Sequence, residues 1–206
     1  MRVARRGLLY IQMMLLDKLV LQFSKLPRVG RRAAHRIAIM LLQDKTGRAA
    51  DLAATLLAAV QKIKPCGVCG ALTENEVCEY CADGGRAGMI CIVRDFADVS
   101  VLEKAGVYHG RYHIIGGLLS GANGITPDDL NIGTISARMK DENVSEVIFA
   151  LPNTLEGKTT QSYIAARLAD EKVVFSELAS GVPMGGDLDY IDDGTLTLAF
   201  GGRKRI

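Results

Sequence analysis

The chain has 206 residues, 49% of them hydrophobic and 23% charged, with a formal net charge of +2. That balance suits a globular protein with one large or two small cored domains, and it excludes a disordered or fibrous chain. The near-neutral total hides an asymmetry: residues 1–50 carry 11 Lys/Arg against two acids, Asp17 and Asp44, whereas the remainder carries 14 against 21. A basic head on an acidic body points to a polyanion at one end, with phosphate backbone the obvious one, and to a different partner surface elsewhere.

Arg2, Arg5 and Arg6 precede the apolar stretch Gly7–Leu16, an arrangement shared with short signal peptides. No small-x-small cleavage pattern follows and Asp17-Lys18 comes next, so an amphipathic helix packing Leu8, Ile11, Leu15 and Leu19 is the better account. No uncharged apolar run reaches the length of a membrane span, and a cytoplasmic, nucleoid-associated location is expected. Residues 1–60 read as helical: a first helix ends near Lys25, Leu26–Gly30 makes a turn, Arg31–Gln43 forms a second helix, and Asp51 caps a third over Leu52–Ile63. Leu26-Pro-x-Val-Gly30, followed by Ala34 and Ile37, has the form of a helix–hairpin–helix, whose backbone N–H groups approach a DNA phosphate at a helix N-terminus. Gly30 would open that terminus, and Arg31, Arg32 and Arg36 would lie on or near its first turns, with Arg32 and Arg36 sharing one face. The bland alternative is a helical hairpin with solvated arginines. The usual motif has glycine where this chain has Arg28, so a positive φ there carries a steric cost.

Cys66, Cys69, Cys78 and Cys81 stand as C-x2-C-x8-C-x2-C. Two close thiolate pairs on a short connector meet the needs of one tetrahedral zinc ion, in a closed site whose role is structural. Gly67 and Gly70 supply backbone freedom at the first knuckle. The competing reading is two disulfides, but nothing here points to secretion. Cys91, inside the apolar run Met89–Val93, reads as a small buried hydrophobe.

Beyond Asp83-Gly84-Gly85 the pattern alternates strand and helix. Strands are expected at Met89–Val93, Arg111–Ile115, Glu146–Leu151 and Lys172–Ser176, with helices over Ala97–Ala105, from Thr126-Pro127, and over Lys158–Asp170. The β-α-β-α order implies a parallel sheet covered on both faces. A final strand is expected at Thr195–Phe200, after a run of acids, Asp187, Asp189, Asp192 and Asp193. The three histidines are too scattered for a catalytic triad, and each reads as structural or surface.

The order basic hairpin, four-cysteine knuckle, α/β domain resembles the RecR family of bacterial recombination mediators over nearly the full length. The pieces that carry the likeness are Leu26-Pro-x-Val-Gly30, the cysteine quartet, Ile92-Val-x-Asp-x-Ala-Asp98, Gly110-Arg-Tyr-His-Ile-Ile-Gly-Gly117, Pro127-Asp-Asp-Leu130, Glu156-Gly157 and Gly181-Val-Pro-Met-Gly-Gly-Asp-Leu-Asp-Tyr190. The resemblance implies a helical domain over 1–63, a zinc finger over 64–84, a Rossmann-like Toprim domain over 85–178 and a C-terminal oligomerisation and partner segment over 179–206. It also implies a homo-oligomer, a dimer or tetramer ring that can surround DNA, and partnership with RecO and RecF in helping RecA onto single-stranded gaps.

Catalytic Toprim relatives hold Mg²⁺ with a Glu after the first strand and an Asp-x-Asp after the third, because a hard cation needs carboxylate oxygens while it stabilises a transferring phosphate. Here those positions are Arg94, Pro152 and Thr154, and the acids that remain nearby are Glu156, Asp95 and Asp98. They read as an acidic remnant or a partner contact, with an ion pair from Arg94 to Glu156 or Asp98 expected. Gly157-Lys158-Thr159 imitates the end of a P-loop but has Pro152 where that motif needs glycine. A non-enzymatic DNA-repair mediator is therefore expected. The alternatives are a Mg²⁺-dependent nickase or primase-like enzyme and a simple zinc-containing DNA-binding module.

Overall fold

The computed structural model describes residues 15–203. The chain divides into two compact units, one up to Lys62 and one from Ile63 onward. The first consists of α1 (15–24), α2 (Arg31–Gln43) and α3 (Arg48–Lys62). Ala34 and Ala38, one turn apart on α2, are fully buried and pack with Val20, Leu16, Leu19, Phe23 and Val29. Small side chains on that face let the helices approach closely. Leu15 is exposed, so the packed stripe of α1 runs through Leu16, Leu19 and Val20 instead; Leu8 and Ile11 lie outside the described residues. The third helix starts four residues earlier than expected because the Asp44 carboxylate, not Asp51, accepts the Arg48 N–H at 2.9 Å and the Thr46 hydroxyl.

The second unit begins with a two-residue hairpin, β1 (Lys64–Pro65) and β2 (Leu72–Thr73), then the single turn α4 (Glu79–Ala82). The rest alternates: β3 (Met89–Val93), α5 (Phe96–Ala105), β4 (Arg111–Ile114), α6 (Ile135–Asp141), β5 (Glu146–Ala150), α7 (Leu155–Arg167) and β6 (Val174–Glu177), followed by α8 (Asp193–Gly201). The strands β3 to β6 form one parallel sheet in the order β4-β3-β5-β6. Period-2 alternation sends β3 and β5 residues to opposite faces. Ile90, Ile92, Val147 and Phe149 meet Ile135 and Met139 of α6 and Ile164 of α7 on one side. Cys91, Val93, Tyr112 and Ile114 face the other side, against Val99 of α5 and the buried cysteines Cys66, Cys69 and Cys78. Full burial of each large aliphatic chain here stabilises by roughly 1.5–3 kcal/mol.

Two segments depart from the expected elements. Thr126 to Asp129 makes only a 3₁₀ turn, Pro127–Asp129, closed by a reciprocal Thr126–Asp129 box. Leu130 then turns extended and the Asn131 N–H bonds Ile115 O at 3.0 Å, which pins the chain along the sheet and delays the helix to Ile135. Thr195–Phe200 is helical rather than a strand, because the Asp192 carboxylate accepts both the Thr195 N–H (2.9 Å) and its hydroxyl (2.7 Å). A capped N-terminus outweighed the Thr-Leu alternation. Among the described residues no helix is long and apolar enough to cross a membrane.

A buried polar network ties β4 to α6. Arg138, 5% exposed, donates from Nη1 to Tyr112 O (2.9 Å) and to His113 Nδ1 (3.0 Å), while its Nε bonds Glu142 at 2.8 Å. That donation leaves the His113 proton on Nε2, 2.6 Å from Asn131 O. Burial first, and the Arg138 charge after it, push the His113 imidazole down to about 4, although the Asn131 bond opposes the shift. Burial pushes the Glu142 carboxyl up, but hydrogen bonds from Arg138 and Arg111 outweigh it and hold it below the usual range.

Both shifts act in the same sense. A base with a depressed folded pKa contributes its stability above the unfolded value near 6.5, and that stability is lost as pH falls toward 4. A depressed carboxylate is likewise stabilising above its unfolded value and loses that contribution as acid protonates it. Urea unfolding of the zinc-loaded chain should show stability falling by about 2 kcal/mol between pH 7 and pH 5 from His113 alone. In His113→Asn this part of the slope should vanish; an unchanged slope would show that His113 is not the titrating group.

Candidate zinc centre and nucleic-acid interface

The first cysteine pair sits on the turn between β1 and β2. Cys66 N–H bonds Ala71 O (2.7 Å) and Gly70 N–H bonds Cys66 O (3.0 Å), which wraps the backbone round the sulfurs. Gly70 has φ +81°, and a Cβ there would stand 3.0 Å from Ile114 O and 3.1 Å from the Asn131 amide, so only glycine fits. The second pair is carried by α4, with Cys78 at its N-cap and Cys81 within it. All four Sγ atoms lie within 4.8 Å of one another, and no disulfide links them. Backbone N–H groups of Val68, Ala71 and Cys78 donate to the sulfurs of Cys66 and Cys69 at 3.3–3.4 Å, which favours thiolates. Cys69 Sγ lies 3.4 Å from Cys78 Sγ, within hydrogen-bonding reach, and the neighbouring thiols together with the Arg138 charge hold Cys81 below the usual thiol range against burial. The donor set, four soft sulfurs in mutual reach and three of them buried, is that of a closed tetrahedral zinc site.

This knuckle is hydrogen-bonded to the sheet. Ile114 N–H at the β4 edge donates to Cys69 O at 2.8 Å. Beyond it, Arg86 forms a two-pronged pair with Glu103 (2.8 Å each), Tyr112 donates to Glu103 at 2.6 Å, and the Arg86 guanidinium lies 5.2 Å over the Tyr80 ring. Cys91 is 2% exposed and burial pushes its thiol up to about 12, the inert core role expected of it.

The helical hairpin holds the basic residues. Val29 N–H closes on Leu26 O at 3.1 Å, and Arg28 takes φ +64°. The turn therefore keeps the left-handed residue that the motif assigns to glycine, and arginine bears the strain. Gly30 is the N-cap of α2; its φ is ordinary (−73°), no side chain caps the helix, and its first turn holds no acid. A Cβ on Gly30 would meet nothing within 4 Å, so the α2 N-terminus is open. Arg31, Arg32 and Arg36 are all exposed beside it, with no ion pair among the described residues.

The acidic trio behaves differently. Asp95 and Asp98 form a reciprocal capping box at the start of α5, with Asp95 Oδ1 accepting Ala97 N–H at 2.9 Å and Asp98 Oδ2 accepting Asp95 N–H at 3.1 Å. The ion pair expected from Arg94 to Glu156 or Asp98 is instead made to the adjacent Asp95, at 3.0 Å, since Asp98 is turned back onto the backbone. Glu156 is exposed in the first turn of α7, whose cap is Thr154. A Cβ at Gly157 would run into the Pro152 carbonyl oxygen, so this glycine serves close packing rather than a phosphate cradle. Lys158 is exposed and pairs with Glu177 at 2.6 Å. Arg138 and Glu142 stand four apart, the spacing of a helical ion pair, which is the signal that could have found them; Arg86 and Glu103 lie 17 residues apart and carried none.

Cys66→Ser should lose its zinc and several kcal/mol of stability, the scale of a structural zinc site. Hydrogen exchange should then speed up at the Ile114 amide; full zinc content with unchanged melting would contradict the assignment. Arg28→Gly should stabilise the hairpin by about 1 kcal/mol, read from thermal unfolding, because it relieves the left-handed strain.

Family models cover nearly the whole chain: RecR, helix-hairpin-helix over 16–60; RecR, zinc finger domain of the four-cysteine type over 63–83; Toprim domain over 88–179; and RecR, C-terminal over 181–204. Proteins named Recombination protein RecR are similar along the same span. That of Caulobacter vibrioides is 44% identical over 190 residues, covering 92% of this chain and 95% of the relative. That of Paracoccus denitrificans is 43% identical over 192 residues (93% and 96%), and that of Rhodospirillum rubrum 44% over 192 (93% and 98%). The four thiols that geometry gathers are thus those of a four-cysteine zinc finger, and one zinc ion is the cofactor the residues fit. With hairpin, knuckle, sheet and C-terminal segment all matched in order, the chain belongs to the RecR family of recombination proteins.

Proposed function

We propose that this chain is a non-enzymatic mediator of recombinational repair: an oligomeric, zinc-stabilised DNA clamp that acts with RecO and RecF to help RecA onto single-stranded gaps. The observation that carries the reading is the open, uncapped N-terminus of α2 flanked by exposed Arg31, Arg32 and Arg36. Unpaired N–H groups at a helix start, aligned with the helix dipole and ringed by cations, form an anion site suited to a phosphate of DNA. Gly30 leaves room for the backbone to approach.

Against an enzyme stand the roles of the surviving acids. Asp95 and Asp98 are occupied in capping α5, Asp95 also neutralises Arg94, and Glu156 is left without a neighbouring carboxylate pair of the Asp-x-Asp kind. Glu156, exposed on α7, is offered to a protein partner rather than to Mg²⁺. Self-association is supported by apolar side chains that find no cover among the described residues: Leu52, Leu56 and Val60 on α3, and Val174, Leu188, Tyr190 and Phe200 toward the C-terminus.

RecA's DNA-dependent ATPase, measured on single strands coated with single-stranded-DNA-binding protein and with cognate RecO present, tests the proposal. Adding this chain should shorten the lag. Arg32→Ala/Arg36→Ala should abolish that effect and reduce the salt slope of DNA binding by roughly one per lost phosphate contact. A folded, zinc-loaded chain that leaves the lag unchanged would remove the mediator role and leave the fold.

A further inference from the structure

We propose that a groove beside the zinc knuckle is a second docking site, shaped for a segment of a protein partner that presents a lysine or arginine next to an aliphatic or aromatic side chain. The groove encloses about 600 Å³, with Ile63, Leu72, Tyr80 and Phe96 as apolar walls and Glu74 and Glu79 at its rim. Ile63 and Leu72 are 41% and 50% exposed, so the walls are open to a visitor.

The walls are held before anything binds. Leu72 is on β2, in register with Pro65 across the hairpin. Tyr80, on α4, is held edge-on by Tyr112 (centroids 5.5 Å apart, planes at 82°) and lies under the Arg86 guanidinium. Phe96 is the first residue of α5, immediately after the N-cap Asp95. A preformed apolar groove loses little order on binding, which is what makes a short segment a feasible ligand.

Charge selects the occupant. Among the described residues no lysine or arginine lines the groove, and residues 64–83 hold Glu74, Glu76, Glu79 and Asp83 against the single base Lys64. Four thiolates outweigh the divalent cation they bind, so the metal centre deepens the same negative field. Among the described residues neither Glu74 nor Glu79 makes an ion pair. Nucleic-acid phosphate is repelled here, whereas a cation beside an apolar group is matched by both rim and floor. The inference shares with the mediator reading only the premise that a protein partner exists, and it concerns residues which that reading does not use.

The test uses the zinc-loaded full chain, labelled with ¹⁵N, and a short peptide alternating lysine with leucine and phenylalanine as probe. Amide shifts should centre on Leu72, Glu74, Glu79, Tyr80 and Phe96. Glu74→Gln/Glu79→Gln should weaken binding about fivefold, as expected for exposed charge pairs. A glutamate-for-lysine peptide should leave these amides unmoved, and a lysine–serine peptide should bind at least about fivefold more weakly, since it forgoes the apolar floor. The proposal is overturned if the shifts centre elsewhere (the acids at 187–193 above all), if the double variant binds equally well, or if single-stranded DNA moves the same amides. Peptide binding at the groove in a preparation that does not stimulate RecA supports the groove and removes only the mediator role.

Discussion

The second unit depends on four sulfur atoms being held together. A parallel sheet must be covered on both faces, and here α6 and α7 cover one side while the other is shared between α5 and the cysteine knuckle. Cys66, Cys69 and Cys78 are buried in the same cluster as Cys91, Val93, Tyr112 and Ile114. The bond from Ile114 N–H to Cys69 O caps the β4 edge, and Gly70 permits the approach that makes it. The zinc site is therefore a wall of the core as well as a local staple: metal binding, edge protection and burial of one sheet face stand or fall together.

Electrostatics divide the chain's surfaces by the sign of their charge. On the hairpin, arginines surround an uncapped helix start, and the residue of the turn that bears the left-handed strain is itself an arginine, so positive charge is kept even where glycine would be easier. On the α/β unit, acids rim the knuckle groove and cap α5, and the basic residues near them are largely neutralised: Arg86 by Glu103, Arg94 by Asp95, Arg138 by Glu142. The result is one surface whose charge attracts phosphate and another whose charge repels it.

Where the residues alone were informative, the signal was local. The C-x2-C-x8-C-x2-C spacing needs only a short loop to bring its sulfurs together, and Leu26–Gly30 needs only a turn. Where they misled, a capping bond or a strand-edge bond outweighed the periodic pattern. The Thr126-Pro127 start was genuine, but Asn131 pairing with Ile115 arrested the helix. The Thr-Leu alternation after Asp192 suggested a strand until the aspartate capped a helix. Arg94 was paired with the wrong acid because the capping geometry of Asp98 cannot be seen without the backbone.

By itself the sequence determined the order of the parts, the zinc ligand set, the parallel α/β class and the basic hairpin, because each rests on spacing, periodicity or composition within a short window. Tertiary structure alone decided that the knuckle forms part of the sheet's core and that Arg138 clamps His113 and Glu142. It also decided that Asp95 and Asp98 serve a helix cap and that a walled acidic groove opens beside the metal centre. Most of these join residues from different elements, and which side chains share a space is settled only when the sheet and its covering layers close around them.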